Sequence, residues 1–590
     1  NDPRCKPGES TPAWRKSLMK EWKGWVDNKV YKVERRKRRR YGRAVSCKWV
    51  FRYKLLDDGS VVEKSRCVAR GFQAPTTGQD TYWGVASHVS TMILLAIAAM
   101  RDYEIHLVDI ACAFLNAPLE EEEQVQLELP DGFAELSAAM GVKLHLPEGV
   151  SGINDKEPNS RRFVCVLRTL SSVYGLAIAP KSFGRRLRKF LVEKLGFRSV
   201  KNDPCVYVRN RDGKTLFLSS TVDDILICGD CEDQIDEFKR ALSRKHGGIF
   251  DVKDLGPDPK RFLGMGLRRD RDKREVYLDH SAYLHEAYDE YLPWIERYFS
   301  TAKGGLTSTP KTPCDMKEIH DLLSGKYEAS SELKERAMEK LPYLNIIGKL
   351  WWHCANLRPS ACYCMSVLSR SLHSYTQKHF KIALHLLRWL HSKADEPYVL
   401  GRRAGRSMAK SLYCYCDADF ANCVESRRSN TGVLIFLDGS LIQFFSRRQT
   451  GIAISTTDAE VRSATAACKE ILWIVKFLGE LGWKLSGPVD VMEDNQATVT
   501  LSQSEAGQHS GRMKYLDIKS KFCLELAQAG VVRFVKVTTQ QQLADIMTKP
   551  FYRPAFLKLR EMLWNPRAVR VELYPAELDG VYVVLRAGTP

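Results

Sequence analysis

The stretch that decides the fold is residues 214–228, KTLFLSSTVDDILIC, in which two apolar segments flank the acidic pair Asp223-Asp224. Residues rich in β-branched and aromatic types predict a strand on each side of the pair. Asp is also a common turn residue, so an ordinary hairpin is the alternative interpretation. A third carboxylate, Asp109, stands near the end of the predicted strand Glu104 to Ile110. Because a carboxylate at a buried strand end is costly unless it binds something, the three are candidate ligands of a cation.

The composition is that of a large globular protein with a strong positive charge. Of the 590 residues, 44% are hydrophobic and 27% are charged, which excludes a disordered chain. At roughly 100–200 residues per domain, the length predicts about three to five folded units. Lys and Arg number 90 against 71 Asp and Glu, a net charge of +19. This excess predicts a polyanionic partner, and nucleic acid is the first candidate.

Carboxylates gathered on neighbouring strands of a basic protein favour a Mg²⁺ site. This hard cation binds carboxylates together with substrate phosphates. Two such ions roughly 3.5–4 Å apart stabilise both the attacking and the leaving oxygen of a phosphoryl transfer. The residues therefore predict phosphoryl-transfer chemistry, with the positive remainder of the chain holding the nucleic acid.

Neither the apolar runs nor the cysteines indicate a membrane or secreted protein. The longest apolar run, Met92 to Met100, falls far short of the ~20 residues of a spanning helix, and the N-terminus shows no signal-peptide pattern. The 17 cysteines are scattered, which predicts reduced thiols in a soluble intracellular protein. Cys228 and Cys231 form one C-x-x-C pair, for which two incidental thiols are favoured over a metal site. Because the chain begins at Asn1 and not at Met, we expect a piece of a longer protein.

Cations near the N-terminus are placed where they could contact phosphates. A predicted helix with three tryptophans in residues 14–25 precedes the basic run Glu34 to Arg40, which is either a phosphate-binding stripe or a solvated loop. Residues 47–62 alternate as strand, turn and strand, with a hairpin signal at Asp58-Gly59. The cations that such a hairpin could present to a triphosphate follow it: Lys64, Arg66 and Arg70.

A series of motifs resembles copia-type retrotransposon reverse transcriptases. In the first half these are Cys47-Lys-Trp-Val-Phe51, residues 64–72 (KSRCVARGF), residues 107–116 (LVDIACAFLN), Tyr174-Gly-Leu176 and Val222-Asp-Asp224. In the second half the motifs similar to the family's ribonuclease H domain are residues 416–420 (CDADF), 455–460 (STTDAE), 493–496 (EDNQ) and 543–550 (LADIMTKP). Their fixed order over about residues 14–563 identifies the chain as similar to the reverse transcriptase–ribonuclease H region of that family's Pol polyprotein.

The resemblance implies roles for residues of the polymerase half. Asp109, Asp223 and Asp224 would be its metal-binding catalytic triad. Phe114 would be an aromatic gate against the ribonucleotide 2′-hydroxyl, although a core aromatic is the favoured interpretation from the sequence alone. The further residues implied to contact the nucleotide are Lys64, Arg66, Arg70 and Tyr174.

For the ribonuclease H half, the resemblance implies four catalytic metal ligands: Asp417, Glu460, Asp494 and Asp545. Asp417 closes an alternating strand and Asp494 ends another, so both side chains can project from one sheet edge. Glu460 lies in the first turn of a predicted helix, where Thr457-x-x-Glu460 offers a capping box as the alternative interpretation. Asp545 falls in a short helix, where an exposed acidic residue is otherwise unremarkable.

The implied fold class is α+β, with a right-hand polymerase of fingers, palm and thumb, then a helical tether, then a ribonuclease H-like α/β domain. The predicted limits are an N-terminal basic segment at 1–43, fingers and palm at 44–275, thumb and connection at 276–410, ribonuclease H at 411–563 and a C-terminal tail at 564–590. No internal repeat is present in the sequence.

The implied function is RNA-directed DNA polymerase with ribonuclease H, which copies retrotransposon RNA into DNA. Its cofactor would be Mg²⁺, with Mn²⁺ as the alternative, two ions per active site. Its partners would be an RNA template, a DNA or RNA primer, the RNA–DNA hybrid and dNTPs, with the integrase and capsid protein of the same element as further partners and no membrane. Its location would be the cytoplasmic virus-like particle, with the nucleus as the second candidate.

Thr221 departs from the family pattern, which has Tyr before Val-Asp-Asp. In the ribonuclease H half, Tyr515 occupies a usual His position and His509 has no assigned role. These departures leave an alternative function open, a catalytically decayed copy that retains only nucleic-acid binding.

Overall fold

The computed structural model describes residues 10–35, 43–55, 60–74, 81–143, 145–146, 165–301, 305–324, 341–401, 411–502, 517–564, 569–572 and 584–587. The predicted basic run at 36–40, the Asp58-Gly59 turn and the positions of His509 and Tyr515 lie outside these ranges. The chain forms two compact units, one of residues 1–86 and 106–256 and the other of residues 87–105 and 257–590. The predicted domain limits stay a proposal.

The secondary structure alternates short strands with helices along the whole chain. The strands are β1 (Tyr31–Arg35), β2 (Cys47–Leu55), β3 (Val61–Ala69), β4 (Glu104–Ile110), β5 (Gln126–Leu127), β6 (Cys165–Thr169), β7 (Arg198–Ser199), β8 (Val206–Arg211), β9 (Lys214–Thr221), β10 (Asp224–Gly229), β11 (Val252–Pro257), β12 (Arg261–Phe262), β13 (Met265–Asp270), β14 (Glu275–Asp279), β15 (Ser300–Thr301), β16 (Gly305–Leu306), β17 (Tyr398–Gly401), β18 (Leu412–Asp419), β19 (Asn430–Leu437), β20 (Ser440–Arg448), β21 (Val489–Glu493), β22 (Val532–Lys536), β23 (Val569–Glu572) and β24 (Val584–Ala587). The α-helices are α1 (Pro12–Asp27), α2 (His88–Arg101), α3 (Phe133–Ala139), α4 (Ala179–Lys189), α5 (Glu232–Leu242), α6 (Ser281–Phe299), α7 (Met316–Leu323), α8 (Tyr343–Leu357), α9 (Cys362–Leu368), α10 (Gln377–His391), α11 (Thr456–Glu480), α12 (Gln496–Leu501), α13 (Asp517–Gln528) and α14 (Arg553–Trp564).

The first unit is built on a six-stranded sheet with the order β11-β4-β10-β9-β8-β7. Strands β9 and β10 pair antiparallel from Thr221↔Asp224 outward, as the alternating pattern of residues 214–228 predicts. Apolar side chains of α4 and α5, among them Phe183 and Phe238, pack with Leu218 and Ile227 of the sheet in one buried core. This packing holds the two central strands, β10 and β9, against the helices.

The rest of the first unit is a smaller layer at its N-terminal side. Helix α1 packs on β3 of the β2–β3 hairpin, and a three-stranded sheet has the order β1-β6-β5. Trp22 and Trp25, both fully buried, stack with ring centroids 5.3 Å apart. The helix predicted around the tryptophans and the hairpin predicted after Cys47 are both present. Aromatic side chains buried on one face of α1 pack the helix against the hairpin.

The second unit begins with an antiparallel sheet of order β12-β13-β14-β17. Helix α2, apolar on nearly its whole surface, packs against β14 and β17 and is buried along most of its length. Helices α6, α8 and α10 pack with one another, and α10 buries Trp389. The two helices predicted in residues 341–392 are α8 and α10.

The C-terminal part of the second unit contains a five-stranded sheet of order β20-β19-β18-β21-β22. The β18–β19 and β19–β20 pairs are antiparallel, whereas β18–β21 and β21–β22 are parallel. Helix α11 packs on β18 and β19. The predicted α+β class, with a mixed ribonuclease H-like sheet after the polymerase, is confirmed.

Two further expectations concern cysteines and membranes. The sixteen cysteines within the described ranges are all free thiols. Cys228 is buried on β10 and Cys231 is partly exposed. Among the helices that the structure describes, none is long and apolar enough to cross a membrane.

Candidate active sites

The tip of the β9–β10 hairpin presents the acidic pair on a strained turn. Thr221 pairs with Asp224, which leaves Val222 and Asp223 as the two-residue loop. Val222 has φ of 58°, a left-handed conformation that is rare for a β-branched residue. Two-residue hairpins require such a conformation at the first loop position. Strain of this kind clusters at functional sites, where the surrounding sheet enforces it.

Strand β4 brings Asp109 to the same place. The Ile110 N–H donates to the carbonyl oxygen of Asp223 at 2.8 Å, which ties the end of β4 to the hairpin tip. Burial and the neighbouring Asp223 raise the pKa of Asp109. Burial, Asp223 and Asp109 raise the pKa of Asp224 to about 6. The three predicted ligands are thus brought together, and their mutual repulsion favours a bound cation.

Lysines of the first unit face this cluster of carboxylates. Burial and the adjacent cations Arg66 and Lys54 lower the pKa of Lys64, while Asp109 and Asp223 oppose that shift. Lys54 on β2 also acts on Asp109 and Asp224. The sequence reasoning missed Lys54. Lys54 lies on β2 two residues after Arg52, and Arg52 pairs with Lys64 across the hairpin. This place beside Lys64 is the signal that could have identified Lys54.

Three of the predicted nucleotide-contacting residues form a stack. The guanidinium carbon of Arg66 lies 4.4 Å from the centroid of the Tyr174 ring. The Phe114 ring meets Tyr174 edge to face with centroids 5.5 Å apart. Phe114 is partly buried and also packs against both cores of the first unit, so its role as a gate stays a prediction. Arg70 is exposed just after β3, and its N–H donates to the Ser46 carbonyl oxygen at 2.9 Å.

Gly175 sets the distance between that stack and β3. Its φ is 92°, and a Cβ added there would lie 2.1 Å from the carbonyl oxygen of Ala69. The Ala69 N–H donates to the Tyr174 carbonyl oxygen at 2.8 Å. Only glycine allows this approach of the two backbones.

The second site lies on the five-stranded sheet. Asp417, on β18, is 1% exposed, and its backbone oxygen accepts from the Ser463 hydroxyl at 2.7 Å. Carboxylate oxygens of Asp417, Glu460 and Asp494 all lie within 4.8 Å of one another, as one metal ion requires. Among the residues that the structure describes, no other group of three or more acidic, His or Cys side chains is gathered this closely.

Glu460 is not part of a helix cap, so the capping-box interpretation is wrong. Helix α11 is capped by Ser455, whose hydroxyl accepts from the Asp458 N–H at 3.0 Å. The Glu460 side chain is buried, and its Oε2 has no hydrogen-bond partner. Burial and the carboxylates Glu493 and Asp417 raise its pKa to about 11. A buried carboxyl oxygen without a partner beside two other carboxylates fits a metal ligand.

Asp545 is buried at 5% exposure, which contradicts the alternative interpretation of an unremarkable exposed residue. It lies in the 3₁₀ helix Leu543–Met547. Burial and Asp417 raise its pKa to about 7. Its carboxylate accepts from Lys549 at 2.6 Å, and the same ammonium lies 3.5 Å from Asp417.

The sequence reasoning missed two residues of this site, Glu493 and Lys549. Glu493 is fully buried, and burial raises its pKa well above the usual range. Its Oε1 accepts from the Asn495 N–H at 3.0 Å. The adjacent acids Glu493 and Asp494 at a strand end were the available signal. Lys549 could be found only as a cation four residues after Asp545.

Comparisons with known proteins agree with the motifs. Residues 28–154 and 134–290 match the family described as reverse transcriptase (RNA-dependent DNA polymerase). A Pol polyprotein from transposon TNT 1-94 of Nicotiana tabacum is 29% identical over 553 residues, 93% of this chain and 37% of the relative. One from transposon RE1 of Arabidopsis thaliana is 30% identical over 516 residues, 87% of this chain and 31% of the relative. The chain thus spans about a third of the length of these curated relatives.

Among solved structures, a foamy viral protease–reverse transcriptase in complex with double-stranded DNA covers 88% of this chain and is itself covered to 69%. The sequence identity is 12% and the TM-score is 0.44.

Proposed function

We propose that the chain is the reverse transcriptase and ribonuclease H region of a copia-type retrotransposon Pol polyprotein, an RNA-directed DNA polymerase that also degrades the RNA of its hybrid product. The observation that carries the proposal is the pair of carboxylate clusters, one in each compact unit. Retention of both clusters is the reason to favour this function over that of a decayed copy that only binds nucleic acid.

In the polymerase site, Asp109, Asp223 and Asp224 would hold divalent cations. The donor set fits, because burial and the nearby Asp223 carboxylate raise the pKa of both Asp109 and Asp224, and crowded carboxylates favour a bound cation. Such ions, when bound, lower the charge on the attacking and leaving oxygens of a phosphoryl transfer. Lys64 and Arg66 would hold the triphosphate, and Phe114 with Tyr174 would form the wall beside the sugar.

In the ribonuclease H site, Asp417, Glu460, Asp494 and Asp545 would hold the cations. The orphaned Glu460 Oε2 and the 4.8 Å grouping of three ligands fit such ions. When bound, they supply activation of a water for attack on the RNA strand. Thr548 donates its hydroxyl to Asp417 and so fixes the orientation of that carboxylate. Glu493 lies beside these ligands, and its Oε1 is held by the Asn495 N–H.

The cofactor and partners follow from this chemistry. Carboxylate oxygens are the donors that Mg²⁺ prefers, with Mn²⁺ as the alternative, at two ions per site. An RNA template, a primer, the hybrid and dNTPs are the proposed nucleic-acid and nucleotide partners, and a net charge of +19 supports them. The integrase and capsid protein of the same element, and a virus-like particle in the cytoplasm, are proposed from the similarity to Pol polyproteins.

Primer extension on an RNA template with Mg²⁺, run beside cleavage of an RNA–DNA hybrid, tests the function. We expect the unmodified chain to do both. The double variant Asp223→Asn/Asp224→Asn should lose extension by at least about 10³-fold, because neutral amides hold cations poorly, and should keep cleavage. Asp494→Asn should lose cleavage and keep extension.

The two variants control each other, since each must fold well enough to keep one activity. An unmodified chain that binds primer–template but neither extends nor cuts would refute the enzyme assignment and leave the decayed copy. In that case Thr221, whose buried hydroxyl has no partner, is the first residue to replace by Tyr.

A further inference from the structure

The outer edge of strand β3 is completed by side chains of helix α1. Ser65 and Cys67 stand two residues apart on β3, so their N–H groups share one strand edge. The Ser65 N–H donates to Ser17 Oγ at 2.7 Å, and the Cys67 N–H donates to Glu21 Oε1 at 3.2 Å. Helix α1 thus supplies the acceptors that a third strand would otherwise provide.

Glu21 occupies a position where the packing favours an apolar residue. It is 9% exposed and lies on the helix face that also buries Leu18, Trp22 and Trp25. Burial raises the pKa of Glu21. Trp25 Nε1 donates to the same Oε1 at 3.4 Å. A buried carboxyl is costly unless its hydrogen bonds are needed, and the bond it makes outside its own helix is to β3.

The same strand carries two cations beside the polymerase site. Side chains alternate along β3, so Ser65 and Cys67 are buried toward α1 while Lys64 and Arg66 lie on the other face. Lys64 interacts with Asp109 and Asp223, and Arg66 covers the Tyr174 ring. A shift of β3 along or away from α1 would move both cations relative to the carboxylates.

We propose that Ser17 and Glu21 are positioning residues for the incoming nucleoside triphosphate, because they fix the edge of β3 and thereby the place of Lys64 near Asp109 and Asp223 and of Arg66 over the Tyr174 ring. The proposal rests on the proposed polymerase function. It assigns to α1 a role in triphosphate affinity, separate from its role in packing the core. An acceptor oxygen of Glu21 makes the contact with the Cys67 N–H, and the amide of glutamine offers an acceptor of the same kind.

The test measures binding of the next complementary dNTP to the full chain on a primer–template with a dideoxy-terminated primer, which requires no turnover. Glu21→Met keeps the size of the side chain but leaves the Cys67 N–H unsatisfied, so we expect the dissociation constant for dNTP to rise about tenfold. Glu21→Gln keeps an acceptor oxygen and should stay within about twofold of the unmodified chain. Affinity for the primer–template itself should be unchanged in both.

Ser137→Ala is the matched structural control. Trp22 Nε1 donates to Ser137 Oγ at 3.2 Å, so this variant removes a buried hydrogen bond of α1 that does not reach β3. It should lower the thermal midpoint as Glu21→Met does and leave dNTP affinity unchanged. Equal dNTP affinity in Glu21→Met and the unmodified chain, or equal weakening in Ser137→Ala, would overturn the proposal. If the unmodified chain binds dNTP but does not extend a primer, the proposed polymerase function is refuted. The dNTP affinities of the variants still decide whether Glu21 is a positioning residue.

Discussion

Glu460 is a side chain of the ribonuclease H site in which burial and repulsion between carboxylates act together. It is buried, one of its oxygens has no partner, and three other acids act on it. Lys549 relieves part of this repulsion, because its ammonium contacts Asp545 and Asp417. The gathered carboxylates therefore lower the stability of the metal-free protein, a cost that the proposed cations would offset.

Glu460→Gln should raise stability in the absence of metal. The pKa of Glu460 is about 11 against an ordinary 4.5, so the folded chain keeps a proton that the unfolded chain loses. Stability from this group is therefore complete below about pH 4.5 and is lost as the pH rises toward the folded value. In EDTA at about pH 8 we expect the variant to melt roughly 3 °C higher than the unmodified chain, and at about pH 5 nearly the same.

Thermal denaturation across that pH range is the measurement, with hybrid cleavage measured in parallel. Cleavage should be lost in the variant at every pH. A melting difference that does not grow with pH would contradict the assigned burial of the proton on Glu460.

Helix α11 shows how an element places a functional residue. Ser455 caps the helix, and Asp458 accepts from the Ile454 N–H at 3.0 Å and from Arg462 at 2.7 Å. These bonds satisfy the N–H groups of Asp458 and Ile454 at the start of the helix, and Glu460 follows them on the helix, close to Asp417 and Asp494. The helix is thus capped by residues other than Glu460, the candidate metal ligand.

Alanine substitutions at the two candidate caps should separate them. Ser455→Ala removes the acceptor of the Asp458 N–H and should cost about 1 kcal/mol, a fall of roughly 2–4 °C in the melting midpoint. Thr457→Ala should change the stability by less than about 0.5 kcal/mol, because the structure gives Thr457 no part in the cap. The opposite ranking of the two variants in thermal denaturation would restore the capping box at Thr457.

At the scale of the whole molecule, two acidic clusters sit in a strongly basic chain. The net charge is +19, although each candidate site is acidic. This distribution of charge suits a nucleic-acid enzyme. The Lys and Arg residues outside the sites attract the phosphate backbone, and the carboxylates of the sites stay available to bind metal ions. The two compact units each carry one cluster, so the two activities are expected to be separable by mutation.

Binding to primer–template should weaken steeply with salt. If the chain neutralises about six to ten phosphates, the affinity falls by on the order of 10³–10⁵ between about 50 and 200 mM salt. Fluorescence anisotropy with a labelled primer–template measures the slope of log affinity against log salt. A slope near zero would show that the excess of Lys and Arg does not contact the nucleic acid.

Local patterns in the sequence were enough to determine the strands that carry the polymerase carboxylates. Strand β4 has the predicted limits Glu104–Ile110, and β9 and β10 flank Asp223 as predicted. These elements follow from apolar alternation and turn chemistry within about ten residues, which act before distant parts of the chain meet. The family motifs extended this to the ligand set of the second site.

Only the tertiary structure decided which distant groups meet. Thr548 reaches Asp417 across 131 residues, and Glu21 reaches Cys67 across 46. The approach of Lys54 to the polymerase carboxylates and the burial of Asp545 depend likewise on how elements pack. Sequence spacing fixes which side chains share a face of one helix or strand, whereas contacts between elements depend on packing of the whole core. The candidate ligands could therefore be named from the sequence, and the residues that contact and neutralise them could not.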